Sequence, residues 1–459
     1  MKIELDTDLT GLSCPDPLRH AFAAKKSAHA RGGNSKPFSP EQAQSTWNTI
    51  LASELTKEEQ EKKRLAYFHI PFCRTHCSYC GFFQNTSKEA EIEKFVSHLE
   101  KEIEQTGKGE WVQSKPLNAV YFGGGTPTDL SADQIRRLGQ AIRTHLPLAD
   151  DVEMTFETRF NGLDDEKIAA CREAGFNRFS LGLQTFDTFI RRKMSRIDPQ
   201  DFLQERLEHL SQQDNTSTVV DLIYGLPWQT EEHWMTDLDL INQSNIHGVD
   251  LYQLIMMGGT RMAQSVAKGS MPAPGDTAFK AGLFKMGVET MIANGWDRLS
   301  VSHWGRPDAD GVARERNIYN HFTKAGTEMI PFGCGAGGKV DGHSIMLHRS
   351  LEPYYAMVNA GQKPIMAMMT ADPNRAVSNV LGGGFDLGTL NLAALDEAAG
   401  ESLSAHCRPL FEAWQDNGLA TLNNNTLDLT LAGQFWNVTM NQALNNYLER
   451  YPFLNKNAA

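Results

Sequence analysis

Three of the chain's seven cysteines lie in one short stretch, "FHIPFCRTHCSYCG", with the spacing C-x3-C-x2-C. Structural zinc needs four ligands, and its cysteines usually come in pairs. No second pair follows here, and His76 lies within the same loop, where it would strain a tetrahedral site. Three thiolates on a [4Fe–4S] cluster leave one iron without a protein ligand. The spacing therefore predicts such a cluster with one open iron, and zinc or a fortuitous grouping are the alternatives.

The elements that must position this loop begin near Leu65, where β-rich runs alternate with helical patterns. The runs are "LAYFHIP", "LNAVYFGGG", "VEMTFET", "RFSLGLQ", "TVVDLIYGLP" and "GVDLYQLIM". This alternation predicts parallel βα units with right-handed crossovers. Six such units favour an α/β fold built on a partial (β/α)6 barrel. The chemistry of such a barrel gathers at the C-terminal ends of its strands.

Changes in composition and Gly- and Pro-rich breaks divide the chain into four predicted parts. Residues 1–64 form an N-terminal arm, 65–257 the barrel core, 258–379 an α/β extension with a lid, and 380–459 a small winged-helix-like α+β domain. The arm has little to bury alone, so we expect it to wrap a neighbour or cap a site. The last part carries eight Asp/Glu and three Lys/Arg, so phosphate attraction is absent and we expect a structural or substrate-capping role.

The totals exclude several classes of protein. The 459 residues carry 56 acidic and 44 basic side chains, a net charge of −12, which argues against general binding to nucleic acid or to an anionic membrane. No apolar run approaches a membrane span, and "MKIELDTDLT" lacks the pattern of a signal peptide. An odd number of cysteines does not favour a secreted disulfide framework. We expect a cytoplasmic protein with reduced thiols, no membrane insertion and no nucleic-acid partner.

The cysteine spacing, with the aromatic Tyr79 before the last cysteine, resembles the signature of radical S-adenosylmethionine (SAM) enzymes. The resemblance implies that the amino and carboxylate groups of SAM bind the open iron. It also implies that an electron from the cluster cleaves SAM to methionine and a 5′-deoxyadenosyl radical. The cluster ligands would be Cys73, Cys77 and Cys80.

The ends of the later strands carry residues suited to SAM. "GGGTP" follows the second run, and its glycines would let the backbone approach a ligand closely. Glu157 ends the third run and is a candidate acceptor for an ammonium group or ribose hydroxyls. Singly, each polar residue is about as readily a cap or a surface group. Polar residues at several successive strand ends favour a functional role. The later strand ends and the helix after the fourth run add Gln184, Arg196 and Asp221.

A closer resemblance covers residues 65 to about 340. The motifs "Y-x-H-I-P-F-C", "GGGTPT", "SLGLQTF" and "DLIYGLP" are similar, in order and spacing, to the oxygen-independent coproporphyrinogen III dehydrogenases and their haem-trafficking relatives. Enzymes of this group can hold two SAM molecules. Carried over by position, the implied SAM contacts are Tyr67, Tyr79, Gly124, Gly125, Thr126, Glu157, Gln184, Arg196, Asp221 and Ile255.

Departures from the dehydrogenases fall where substrate should bind. Phe82 replaces an extra cysteine, "ETRFNG" replaces an acidic–proline pair, and "LIMMGG" replaces a Tyr-Ala-His-like segment. Together with "PDPLRHAF", "HWGRP" and "LGGGFDL", they resemble the anaerobic haem-utilisation branch, the HutW/ChuW-type radical SAM methyltransferases. That resemblance implies iron acquisition by haem opening without oxygen. One SAM supplies the radical and a second supplies a methyl carbon, giving a linear methylated tetrapyrrole and free iron.

Three functions therefore compete: a haem-opening methyltransferase, a coproporphyrinogen III dehydrogenase, and a haem chaperone without turnover. The candidate substrate contacts are Arg159 as a propionate anchor, Phe160 against the macrocycle, and His303 as an iron ligand or proton carrier. Their plainer alternatives are a surface arginine paired with Asp164 or Asp165 and a structural histidine. The basic stretch "FIRRKMSR" could dock a reducing partner such as flavodoxin, or could simply be a solvated helix face.

Overall fold

The computed structural model describes residues 5–26, 35–55, 60–81, 84–308 and 314–451, so Phe82 and parts of the predicted arm lie outside the described residues. The strands are β1 (Arg64–Ile70), β2 (Phe72–Cys73), β3 (Asn85–Thr86), β4 (Leu117–Gly124), β5 (Leu148–Thr158), β6 (Arg178–Gln184), β7 (Ser217–Tyr224), β8 (Gly248–Gln253), β9 (Asp297–Arg298), β10 (His303–Gly305), β11 (Glu328–Phe332), β12 (Gly337–Val340), β13 (His343–Leu347), β14 (Ile365–Met368), β15 (Thr389–Asn391), β16 (Ala420–Leu422) and β17 (Thr426–Leu429). The α-helices are Thr7–Thr10, Pro17–His20, Pro40–Leu51, Glu89–Gly107, Glu110–Gln113, Ala132–His145, Asp165–Glu173, Thr188–Lys193, Gln200–Ser211, Glu231–Gln243, Arg261–Ala267, Thr277–Ala293, Ile318–Lys324, Leu351–Asn359, Arg375–Leu387, Leu392–Ala399, Leu403–Asp416, Leu431–Phe435 and Asn437–Arg450.

A twelve-stranded sheet dominates the described residues, in the order β14-β13-β12-β11-β1-β4-β5-β6-β7-β8-β10-β9. The six runs predicted from the sequence are its consecutive parallel strands β1, β4, β5, β6, β7 and β8. Strand β6 is buried along its whole length, as expected for a parallel strand covered on both faces. The predicted α/β architecture is therefore confirmed.

The sheet curls into a partial barrel around the segment that precedes and begins helix Ile318–Lys324. Glu315 contacts Arg178 of β6 and His303 of β10, while the ring of Tyr319 stacks 4.4 Å from that of Tyr121 of β4. A flat sheet would separate β4 from β10 by about 24 Å. Because one short segment contacts both, the strands must wrap around it.

Strands beyond residue 257 extend the same sheet at both edges. Strand β10 pairs antiparallel with β8, and β11 lies parallel to β1 and leads into β12, β13 and β14. The predicted extension thus shares the barrel's sheet. The division of the chain at residues 64, 257 and 379 stays a prediction.

The C-terminal part has the predicted winged-helix-like arrangement. Helix Arg375–Leu387 is followed by β15, then by helices Leu392–Ala399 and Leu403–Asp416, and finally by the β16–β17 hairpin. Strand β17 lies between β15 and β16 in an antiparallel sheet. This order of helix, strand, two helices and hairpin is that of a winged helix.

The N-terminal segment packs against this domain. The indole N–H of Trp414 donates to the carbonyl of Leu9 at 2.8 Å, and that of Trp436 donates to the carbonyl of Leu18 at 3.0 Å. Trp47 of helix Pro40–Leu51 is buried in the same hydrophobic core. The segment thus buries its apolar side chains against the rest of the chain. No described helix is both long enough and apolar enough to span a bilayer.

Candidate active site

The cysteine loop lies at the C-terminal end of the barrel, against the loops that follow β4 and β6. Cys73 ends β2 and is buried; the Thr126 hydroxyl lies 3.3 Å from its Sγ, and the Arg159 guanidinium lies 3.8 Å from it. The backbone N–H of Ser78 donates to the carbonyl of Met194 at 3.3 Å. The loop is thereby tied to the helical turn after β6.

The surroundings of Cys73 act on the pKa of its thiol in opposite directions, and burial has the larger effect. Burial raises the pKa of the Cys73 thiol, whereas the Thr126 hydroxyl and the Arg159 charge oppose that rise. His76 Nε2 lies 3.2 Å from the carbonyl oxygen of Cys80 within the same loop. Among the described residues, no three His, Cys, Asp or Glu side chains converge closely enough to hold a single metal ion.

The glycine run after β4 is held against the segment that leads into Cys73. The N–H of Gly125 donates to the Ile70 carbonyl at 2.8 Å, and that of Thr126 donates to the Phe72 carbonyl at 2.7 Å. A Cβ on Gly125 would lie 2.3 Å from the Phe72 oxygen. Gly124 has a φ of +102°, which side chains rarely adopt. Only glycine therefore allows this approach at these two positions.

The Glu157 carboxylate lies directly over that glycine run. A Cβ on Gly123 would stand 2.5 Å from Glu157 Oε2, and the N–H of Gly124 donates to the carboxylate. Burial raises the pKa of Glu157 to about 7, although the Gly124 N–H and the charges of Arg159 and Arg196 work against that rise. The site thus holds a carboxyl group that titrates near neutral pH.

Gln184, Arg196 and Tyr79 meet beside the cysteine loop. Arg196 donates to the Tyr79 hydroxyl at 2.9 Å and to the Gly182 carbonyl at 2.5 Å, and burial raises the pKa of Tyr79 to about 12. Gln184 has a φ of +74°, a strained backbone for a residue other than glycine. Among the described residues, neither Gln184 Oε1 nor Arg196 Nε has a hydrogen-bond partner, although both are buried. Buried polar atoms of this kind are available to a ligand.

Asp221 faces the barrel interior, opposite Asp250 in the register of β7 and β8. Burial raises the pKa of Asp221 well above its usual value, and the charges of Asp250 and Glu157 add to that rise. Below it, His303 Nδ1 lies 2.8 Å from Asp250, and its Nε2 lies 3.2 Å from Glu315. Glu315 also accepts a hydrogen bond from Arg178 at 3.0 Å. These residues form a buried polar network beneath the predicted SAM contacts.

Two predicted substrate contacts need correction. His303 is 1% exposed and lies between two carboxylates, so it occupies the structural role that was its alternative. Phe160 is also 1% exposed and packs in the hydrophobic core, which leaves it no surface for a macrocycle. For His303, the two carboxylates come from β8 and from the segment before helix Ile318–Lys324.

Arg159 contacts the cysteine loop. It donates to the carbonyl oxygen of Thr75 at 3.2 Å and to the Thr75 hydroxyl at 3.0 Å. The alternative pairing with a nearby aspartate is wrong, because Asp165 pairs with Arg206 at 2.9 Å and Asp164 caps the following helix. Its role as a propionate anchor stays a prediction.

Two further predicted SAM contacts, Tyr67 and Ile255, have different surroundings. The Tyr67 hydroxyl lies 3.0 Å from His69 Nδ1, and the His69 ring contacts Gly124. Ile255 is 43% exposed and lines a separate cavity of about 430 Å³ at the ends of β7 and β8.

Sequence reasoning missed three members of the interior network: Asp250, Glu315 and Arg178. Asp250 carried a usable signal, since "GVDLYQ" places an acidic residue at the strand position that matches Asp221 in the preceding run. Glu315 carried none, because it lies in a segment without periodicity.

Comparisons with known proteins agree with this geometry. Residues 67–241 match the Radical SAM superfamily. A protein named anaerobilin synthase, from Escherichia coli O157:H7, is 38% identical over 414 residues, which cover 90% of each chain. A heme chaperone HemW from Lactococcus lactis is 30% identical over 300 residues, 65% of this chain and 75% of that one. The solved structure of E. coli coproporphyrinogen III oxidase (HemN) matches with a TM-score of 0.77 at 19% identity, over 92% of this chain and 97% of that one.

The chain belongs to the radical SAM superfamily. Within it, the chain falls in the group that contains anaerobilin synthase, HemW and the coproporphyrinogen III oxidases, as predicted. The family implies a [4Fe–4S] cluster and SAM, so the predicted cofactors are confirmed. The buried Cys73 beside a guanidinium, the close-packed glycine run and the unpartnered atoms of Gln184 and Arg196 fit these two groups.

Proposed function

We propose that this protein is a radical SAM methyltransferase that opens the haem macrocycle without oxygen, giving a linear methylated tetrapyrrole and releasing iron. The observation that carries the proposal is the 38% identity to anaerobilin synthase over 90% of both chains. The match to a relative named oxygen-independent coproporphyrinogen III oxidase is 27% and covers 65% of this chain. A dehydrogenase or a non-catalytic haem chaperone are the alternatives.

In this proposal Cys73, Cys77 and Cys80 hold the cluster. Thr126 and Arg159 then stabilise the thiolate of Cys73, since both lie within 3.8 Å of its sulfur. When bound, the cluster and SAM supply a 5′-deoxyadenosyl radical. The pairing of β2 with β3 and the hydrogen bond from Ser78 to Met194 hold the loop in place.

The SAM contacts follow the strand ends. Gly124 and Gly125 allow backbone approach, and Glu157 accepts from an ammonium group or from ribose hydroxyls. Gln184 and Arg196 offer buried polar atoms that have no partner among the described residues. The remaining contacts proposed are Tyr67, Tyr79, Thr126, Asp221 and Ile255, shared between two SAM molecules.

Glu157 should make SAM affinity depend on pH. The pKa of about 7 leaves most of this carboxyl protonated at pH 6 and most of it ionised at pH 8. Since SAM is cationic, the ionised form should bind it better, and the ionised fraction rises roughly tenfold over this range. Anaerobic equilibrium binding measures the ratio of the SAM affinity of the parent to that of Glu157→Gln. Between pH 6 and pH 8 this ratio should increase by up to that factor. An unchanged ratio would remove Glu157 from the SAM site.

A reducing partner such as flavodoxin would dock on helix Thr188–Lys193, which adjoins the cysteine loop. Phe189 is 53% exposed, and Lys193 Nζ lies 5.3 Å from its ring centroid and 5.7 Å from that of Trp228. Arg192 on the same helix is exposed. An acidic electron carrier would meet cations and exposed aromatic area here.

Reversing charge on that helix should slow only protein-mediated reduction. We expect the double variant Arg192→Glu/Lys193→Glu to cut flavodoxin-driven SAM cleavage about tenfold at low salt, because charge steering changes association rates by such factors. Cleavage driven by dithionite should be unchanged. Lys108→Glu, on an exposed lysine elsewhere, is the matched control. Equal loss with both reductants would show damage to the cluster site instead of a docking surface.

Haem turnover tests the proposed function directly. Anaerobic protein with reconstituted cluster, haem, SAM and dithionite should lose the haem absorbance and release iron that a chelator captures. A chaperone would bind haem and leave its absorbance intact.

We also propose a cytoplasmic location, since an odd number of cysteines, three of them in one loop, does not favour a disulfide framework and disulfides are rare in that compartment.

A further inference from the structure

The cavity beside Ile255 lies where a substrate of this barrel would be expected. Its volume of about 430 Å³ falls in the range of small-molecule sites, and it opens between the C-terminal ends of β7 and β8, the N-terminal segment, helix Thr277–Ala293 and the winged-helix domain. Ile255 and Met256 line the cavity, and Met257 is the next residue along the chain. Met257 contacts Gly81, because a Cβ there would lie 2.9 Å from its methyl carbon. The cavity therefore adjoins the cysteine loop.

The charge of this cavity is opposite to that of the chain. Its described lining includes the lysines Lys25, Lys26, Lys280 and Lys324 and one carboxylate, that of Asp386. The chain as a whole has a net charge of −12. Lys324 pairs with Asp386 at 3.1 Å, so the other three lysines share the described lining with no further carboxylate. A positive cavity on an acidic protein indicates an anionic ligand.

Lys25 and Lys280 are the two lysines held in place by neutral partners. Lys25 Nζ donates to the side-chain oxygen of Gln253 at 2.5 Å and lies 3.4 Å from the ring centroid of Phe435. Lys280 Nζ donates to the carbonyl of Leu254 at 3.1 Å. Burial, and after it the charge of Lys280, lowers the pKa of Lys25 well below its usual value. The negative charge of a bound carboxylate would offset both effects by favouring the ammonium form of Lys25.

The rest of the lining is mixed: Gln253, Thr277, Ser302, Gln434 and Asn437 contribute polar groups, and the other residues are mostly apolar or aromatic. Tyr224, Leu251, Ile255, Met256 and Phe284 contribute to the same cavity. A cavity that combines lysines with aromatic and apolar side chains suits a ligand with a flat hydrophobic part and carboxylate groups on short chains. Among the substrates of the proposed function, haem has this chemistry.

We propose that this cavity binds the carboxylate side chains of haem through Lys25 and Lys280, with the macrocycle against the aromatic lining. The assignment rests on the proposed function, since it takes haem as the substrate. It joins residues of the N-terminal segment and of helix Thr277–Ala293 in one site, and so gives the N-terminal segment a role in binding substrate. The carboxylate of SAM shares the same chemistry, and the experiment must separate the two.

The test compares haem with its dimethyl ester, which lacks both negative charges. We expect Lys280→Gln and Lys25→Gln each to weaken haem binding about tenfold, as the loss of a charge-assisted hydrogen bond would, measured by absorbance titration of the reconstituted protein. Affinity for the dimethyl ester should be unchanged in both variants. Lys285→Gln on the same helix, where Lys285 faces Glu289 at 3.7 Å, is the matched control.

Each outcome separates the possibilities. Equal haem affinity in parent and lysine variants would overturn the assignment, even if the parent opens haem. Equal weakening of haem and its ester would also overturn it, because that result reports altered packing instead of a charge contact. If SAM binding, measured without haem, falls with Lys280→Gln while haem binding does not, the anion is the SAM carboxylate. Haem binding that depends on both lysines but leads to no turnover would contradict only the proposed function.

Discussion

Replacing Cys73, Cys77 or Cys80 by alanine should abolish both cluster binding and SAM cleavage. Three thiolates hold three irons of the cluster, and the fourth iron is left for SAM. With one thiolate missing, no other Cys among the described residues lies in this loop to take its place. Iron and sulfide analysis after anaerobic reconstitution should give about four of each per parent chain. Each variant should fall far below that, with 5′-deoxyadenosine undetectable.

Cysteines outside the loop supply the control for this prediction. Cys14 is half-buried in the N-terminal segment, and Cys14→Ala should keep the parent's iron content and activity. Cys171, Cys334 and Cys407 are buried, and burial raises the pKa of Cys334 and Cys407 to about 12, which keeps these thiols neutral. They should also be replaceable. Full activity without Cys77, or stoichiometric zinc in an active preparation, would overturn the cluster assignment.

Glu315→Ala should cost about 3–5 kcal/mol of folding stability. The carboxylate is fully buried, accepts hydrogen bonds from Arg178 and Ser217, and lies 3.2 Å from His303. Removing it leaves two buried cationic groups without their shared anion. The urea midpoint, followed by tryptophan fluorescence, measures the loss.

An exposed ion pair gives the comparison for that variant. Glu412→Ala removes the partner of Arg408 on helix Leu403–Asp416, where both side chains are more than half exposed, and should cost about 0–1 kcal/mol. Similar midpoints for the two variants would show that the interior network contributes little.

The same network makes stability depend on pH. Burial alone would lower the pKa of His303, but Asp250 and Glu315 outweigh burial and raise it to about 10. A histidine whose pKa is raised by folding stabilises the folded state. This contribution is complete below the unfolded pKa, near 6.5, and it is lost as the pH rises through the folded pKa of about 10. The urea midpoint of the parent should therefore fall between pH 7 and pH 10. The fall should be smaller in His303→Gln.

Sequence patterns predicted the barrel well, for physical reasons. Strand and helix periods differ, so six βα units could be recognised and ordered, and parallel strands place their C-terminal ends together. These two rules are enough to predict that Cys73, Glu157, Gln184 and Asp221 lie at one end of the barrel. Their roles as ligands and SAM contacts stay predictions, since geometry alone does not assign a contact to a bound molecule.

The errors concern side chains whose environment depends on distant segments. His303 is held by Asp250 of β8 and by Glu315, and only the curling of the sheet brings these residues together. Phe160 lies just beyond the end of β5. Neighbouring residues of a strand point to opposite faces, so an error of one position exchanges a side chain in the cavity for one in the core. Lys25 and Lys280 lie 255 positions apart, and no local pattern links them to one cavity.

The central claim is that this protein transfers a SAM-derived carbon to haem and opens the ring. Mass spectrometry of an anaerobic reaction with haem, dithionite and SAM carrying a ¹³C-labelled methyl group tests it most directly. We expect a linear tetrapyrrole heavier by the labelled carbon, formed together with 5′-deoxyadenosine and S-adenosylhomocysteine. A product that has lost carbon dioxide from its propionates and gained no label would place the protein with the dehydrogenases. Haem recovered bound and unchanged would indicate a chaperone.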